Sequence, residues 1–264
     1  MTLPLLMAVA AVYLAATLLY LKVFLAKQEP AVLQARRILA LGFVLHTAAI
    51  IAIHMNDSRA VTPVQESVSF MAYAIVGLWL VFQRKWRAAV LGALLSPIAF
   101  LLVFYTTLPL EPETSLTEFR SLWSHFHVVL SVIGFGFLAL AFAAGATYLI
   151  QDRELKSRKT EAIERVVFRL PALEVLDRAN AFCILYGFPI LTLGMIMGGI
   201  WEVALGGDWS WDLKITLSIG TWIFYLVLVL FRLLAHQRGR KAALLSVLGF
   251  IMLASSYLGG RALG

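Results

Sequence analysis

Charge is scarce in this chain: 14% of its 264 residues are Asp, Glu, Lys or Arg, roughly half the share of a soluble domain. Cysteine is scarcer still, with Cys183 alone. One thiol excludes an internal disulfide, a CxxC redox pair and a CxxCH attachment motif, so the chain is not itself a c-type cytochrome. Cys183 lies in an apolar run, where a lone thiol usually serves packing. No nucleophile–base–acid spacing and no glycine-rich phosphate loop is present, so no enzyme is expected. No acidic residue falls mid-run, which argues against ion-coupled transport. Linkers, low-complexity tracts and strong repeats are also missing, so residues 1–264 are read as one integral membrane domain.

What the sequence has in excess is apolar length. Hydrophobic residues make up 61% of it, and the mean hydropathy is +0.86. A helix needs about 20 apolar residues to cross a bilayer. Candidate spans fall at about 3–25, 38–55, 66–82, 88–108, 123–150, 179–200, 214–233 and 242–260. The runs are continuous, without the dyad alternation of a membrane barrel. The expected fold is all-α, a polytopic transmembrane bundle of about eight helices. The first run, MTLPLLMAVAAVYLAATLLYLKVFLAK, lacks a basic n-region and is read as a spanning helix rather than a cleaved signal.

The net charge of +7 is explained by membrane topology, without a nucleic-acid partner. Eighteen of the 22 Lys and Arg sit at one set of helix ends, clustered at 22–37, 84–87, 153–178 and 232–241. The opposite ends carry Arg59, Arg120, Lys214 and Arg261. Basic residues collect in cytoplasmic loops, so both termini are expected outside, in a bacterial inner (cytoplasmic) membrane. The longest cytoplasmic segment, 151–178, has an apolar stripe of Val166, Val167, Leu170, Leu173 and Leu176. It is read as an amphipathic helix on the inner leaflet, with a solvated connector as the other account.

Histidine is costly inside a bilayer and marks function by default. His46 is mid-span, His54 is near an outer end, and His125 and His127 open the fifth span on the outer side. His236 sits among arginines at the opposite face. The outer loop 201–214, WEVALGGDWSWDLK, gathers Trp201, Trp209 and Trp211 around a Gly-Gly turn, followed by Asp212. A membrane-interface aromatic belt accounts for one or two of these tryptophans. An aromatic shelf beside histidines suits a flat, apolar, metal-bearing ligand: non-covalent b-type haem, stacked on rings and ligated by imidazole. Its propionates would take Arg59, Arg120 or Lys214, though these side chains serve equally well as snorkelling anchors. Residues two apart on a helix point in nearly opposite directions. His127 shares a face with Ser131, Gly134, Leu138, Ala141 and Gly145, a small-residue face suited to helix packing. His127 is therefore the better iron ligand, with His46 as a second, intramembrane one. A histidine hydrogen-bonded to a neighbouring helix is the competing account of His127.

The stretch GFPILTLGMIMGGIWEVALGGDWSWDLK resembles the signature region of the CcsA/CcmC/HemX superfamily of haem-handling membrane proteins. ESVSF, LHT, LWSHFHVVLSVIGFGFLAL and RGRKAALLSVLGF are similar to further segments of that superfamily. The resemblance covers most of the chain and places His127 at the family's outer histidine and His46 at a second-helix histidine. Leu213 and Ile215 replace the Pro and Glu of its Trp-Asp-Pro-Lys-Glu pattern, and Leu230 replaces a histidine. The ending SSYLGGRALG carries no histidine and resembles the YpjD-like subgroup. The resemblance implies haem transport, presentation or sensing in cytochrome c assembly or haem homeostasis, with assembly or haem-synthesis proteins as partners. The ligand opposite His127 would come from His54, His125, Met55, Met197 or a partner. HemX-like regulation of tetrapyrrole synthesis through 151–178 is an alternative, as is transport of another small ligand.

The charge asymmetry predicts orientation. A reporter that works only in the cytosol should be active when inserted within 157–170 and silent between Gly206 and Gly207. The opposite pattern would overturn the assignment.

Overall fold

The computed structural model describes residues 2–26, 30–55, 62–86, 88–109, 122–156, 171–204, 213–234 and 238–262. All the regular structure among them is helical. In chain order the helices are α1 (Thr2–Ala26), α2 (Pro30–Met55), α3 (Pro63–Trp86) and α4 (Ala89–Thr106), then α5 (Leu122–Lys156), α6 (Leu173–Ala204), α7 (Leu213–Leu233) and α8 (Arg240–Ala262). Seven, α1 to α7, are long and apolar enough to cross a membrane. The eighth opens on Arg240 and Lys241.

Each expected span is a helix, but some helices outrun their apolar core. The second starts eight residues early because Pro30 suits a first helical position and Gln34, Arg36 and Arg37 are good helix formers. The 151–178 segment is divided. Its start is the end of α5, where Lys156 pairs with Asp152 at 2.9 Å. Its last six residues, 173–178, are the first turns of α6, and Leu176 is fully buried there. The Val166, Val167 and Leu170 stripe lies outside the described residues.

Packing groups the helices into two compact units, Met1–Phe119 and Arg120–Gly264. In the first, α1 lies against α2 and α4, and α3 against α4. Large side chains fill notches left by glycines: a Cβ on Gly42 would fall 2.6 Å from the Tyr13 ring, and one on Gly92 2.5 Å from Tyr20. The start of α3 is a capping box, in which Thr62 N–H donates to Gln65 Oε1 at 2.9 Å and Gln65 N–H returns to Thr62 Oγ1 at 3.3 Å. The Gln65 amide also donates to the Leu108 carbonyl at 2.8 Å, tying the start of α3 to the end of α4.

In the second unit, α5 and α6 run antiparallel in close contact. A Cβ on Gly134 would meet the Leu191 backbone nitrogen at 2.8 Å, and one on Gly194 the Ser131 nitrogen at 2.8 Å. Gly187 faces Phe137 and Leu138 in the same way, while Gly145 lies against Ser246 and Ala243 of α8, with Asn180 of α6 at 3.2 Å. The pairs climb α5 as they descend α6, so one register runs along the seam. At the far end, Asn180 donates to the Ala141 carbonyl at 2.6 Å and to Ser246 Oγ at 2.7 Å. It also accepts from Arg232. The buried Arg232 pairs with Asp177 at 3.2 Å, and Asp177 accepts the Gly239 N–H at 3.1 Å. That turn needs glycine: φ is +78°.

Overpacking the seam should cost about 1–3 kcal/mol. Gly134→Ala is expected to lower the thermal unfolding midpoint in detergent. Gly220→Ala, whose Cβ would meet nothing within 4 Å, should leave it unchanged.

Candidate functional site

The four histidines expected to matter divide between the units. His46 and His54 belong to the first, and His125 and His127 to the second.

His46 is completely buried in the four-helix unit. Its Nδ1 lies 3.2 Å from the Tyr13 hydroxyl of α1, and its Nε2 lies 2.8 Å from Ser69 Oγ of α3. Tyr73 stands edge-on to the ring, with centroids 5.5 Å apart, and its hydroxyl meets Thr47 Oγ1 at 3.2 Å. Both ring nitrogens are therefore engaged, as a buried histidine requires. Taking His46 as an iron ligand would mean breaking one of these bonds. His54, half-exposed in the last turn of α2, directs Nδ1 at the Ile50 carbonyl at 3.0 Å and Nε2 at Glu66 at 3.2 Å. Met55 beside it is 80% exposed.

In the second unit, His125 is exposed and His127 is half-buried toward α6, as their two-residue spacing requires. His127 Nδ1 lies 2.7 Å from the Gly194 carbonyl. A carbonyl oxygen only accepts, so Nδ1 carries the proton and donates. In the neutral ring the lone pair is then on Nε2, which takes no partner among the described residues. The ring also lies over Gly198, whose Cβ would fall 2.7 Å from Nδ1. One turn inward, Thr192 Oγ1 accepts the Trp222 indole N–H at 3.0 Å, and the Trp222 ring stands 5.8 Å from that of Phe188. These contacts brace α7 against α6 directly below the histidine.

Trp201 falls in the last turn of α6. Trp209, Trp211 and Asp212 lie outside the described residues. Spacing pointed to an inward His127, but not to its meeting with Gly194 and Gly198. The Gly194 carbonyl, the Ser69 and Tyr13 partners of His46, and the Trp222–Thr192 brace carry no sequence signal, since each joins residues 23 or more positions apart.

A bare metal ion finds no group of three His, Cys, Asp or Glu among the described residues. A porphyrin brings four nitrogen donors of its own and asks for only one or two axial ligands. A neutral histidine with its proton held on the far nitrogen is the donor such an iron takes. The His127 arrangement therefore fits a haem better than a naked ion.

The profile of the cytochrome c assembly protein family matches residues 61–264, from just before α3 to the last residue. Among similar proteins, the cytochrome c biogenesis protein CcsA of Guillardia theta is 28% identical over 217 residues, covering 75% of this chain and 72% of its own. That of Pyropia yezoensis is 27% identical, covering 75% and 74%. That of Prochlorococcus marinus strain MIT 9301 is 29% identical, covering 75% and 72%. No solved structure matches. With the profile spanning α3 to α8 and His127 and the GFP…GMIMG helix inside it, the chain belongs to the cytochrome c assembly protein family.

Proposed function

We propose that this protein is a haem-binding protein of the bacterial cytoplasmic membrane that transports, presents or senses haem in cytochrome c assembly. Haem is its cargo, and the chain forms no covalent bond to it; attachment falls to a partner synthetase. The observation that carries the reading is the bond from His127 Nδ1 to the Gly194 carbonyl, which leaves Nε2 as an electron-pair donor. Family membership and the naming of similar proteins for cytochrome c biogenesis support the same process.

In this reading His127 supplies an axial ligand at the outer end of α5. When bound, the iron contributes only its affinity for nitrogen. Trp201, Trp209 and Trp211 are the rings proposed to stack on the porphyrin, with Asp212 next in sequence. Arg120 and Lys214 neutralise the propionates. His46 has a different role: with a hydroxyl on each nitrogen it ties α1, α2 and α3 together.

The test is the absorption spectrum of the protein purified in mild detergent from haem-sufficient cells, oxidised and reduced. A Soret band is expected, weakened or shifted in His127→Ala and retained in His46→Leu. A wild type that is colourless, and stays so after haemin is added, overturns the proposal.

A further inference from the structure

Resting on the haem reading above, we infer that the Gly194 carbonyl is a positioning group that sets the tautomer and donor strength of His127. Gly198 supplies the gap that lets the ring reach it. Three observations meet at this point. The bond is 2.7 Å long, within the range of a well-formed N–H···O bond. The ring lies so close to α6 that a Cβ on Gly198 would fall 2.7 Å from Nδ1 and 2.8 Å from Cε1. The helices approach this closely because a Cβ on Gly194 would fall 2.6 Å from Ser131 Oγ and 2.8 Å from the Ser131 nitrogen. The two glycines thus have separate tasks: Gly194 allows the approach and offers the carbonyl, and Gly198 makes room for the imidazole.

The chemistry follows from which atom can donate. With the carbonyl as acceptor, the proton is on Nδ1 and the lone pair on Nε2. In solution a free imidazole populates both tautomers, so the protein removes the cost of selecting one. Donation from Nδ1 also pushes electron density toward Nε2, making it a more basic ligand. The half-buried seam, poor in competing water, strengthens that polarisation. A more basic axial ligand favours the more positively charged ferric iron, so the bond lowers the reduction potential of a bound haem. The α6 backbone therefore tunes the cargo's redox state without touching it.

Two measurements on the full chain in detergent test this, and one needs no haem. In the haem-free protein, nitrogen NMR of labelled histidine, assigned against His127→Ala, is expected to show His127 protonated on Nδ1. A predominant Nε2–H tautomer overturns the inference. In the haem-loaded protein, redox titration of Gly198→Ala is expected to give a higher potential than wild type. Haem affinity should be weaker by about 10-fold or more, the usual range for loss of a ligand's supporting bond. Gly220→Ala, with nothing within 4 Å of its Cβ, is the matched control and should behave as wild type. If Gly198→Ala holds haem at the wild-type potential and affinity, the positioning role is wrong while the haem reading stands. A colourless wild type with His127 protonated on Nδ1 removes the haem reading and leaves the tautomer assignment in place.

Discussion

The close antiparallel seam between α5 and α6 is the constraint on which the second unit depends. Lipid tails are as apolar as leucine, so burial gives helices in a membrane little reason to associate. Contact must come from backbone approach, and approach requires small residues. Gly134, Gly187, Gly194 and Gly198, with Ser131, provide it over several turns in one register. The seam also settles where His127 points. His127 sits where the last of these glycines leaves a hollow, and its bond to Gly194 is a consequence of the same approach.

His46, Arg232 and His127 differ in how their polar groups are engaged. His46 has a hydroxyl on each ring nitrogen and is completely buried. Arg232 has Asp177 and Asn180, and through Asn180 it reaches α5 and α8. Both assemblies tie three or more helices together, and a buried charge left without its partner would be strongly destabilising. His127 is different: one nitrogen is held by backbone and the other is uncommitted among the described residues. A histidine half-satisfied in this way is the arrangement expected of a ligand, because the held nitrogen orients the ring and the other does the binding.

Helix number, helix type and the small-residue face of His127 were legible because each depends on spacing along one segment. Apolar run length set the spans within a few residues. It erred at α2 and α6, where good helix formers carried the helix past the apolar run. At 151–156 and 173–178 the segment continues α5 and opens α6, since helix geometry does not stop where hydrophobicity does. The direction of His127 relative to His125 followed from helical periodicity alone. The iron-ligand role expected of His46 also followed from a local fact, a histidine amid apolar residues. It took no account of Tyr13 and Ser69, 33 and 23 positions away.

Residue order alone is enough to establish a helical membrane protein, which ends are basic, and which histidine turns inward. These are properties of length, composition and the 3.6-residue period, all local. It took the packing of the helices to fix which nitrogen of His127 meets the α6 backbone and to engage both nitrogens of His46. The same packing decided that Arg232 is buried in a network rather than snorkelling to the interface. Each of those depends on a carbonyl or hydroxyl supplied by another helix, dozens of residues away. Backbone carbonyls are present at every position, so no residue letter marks the one that will be met.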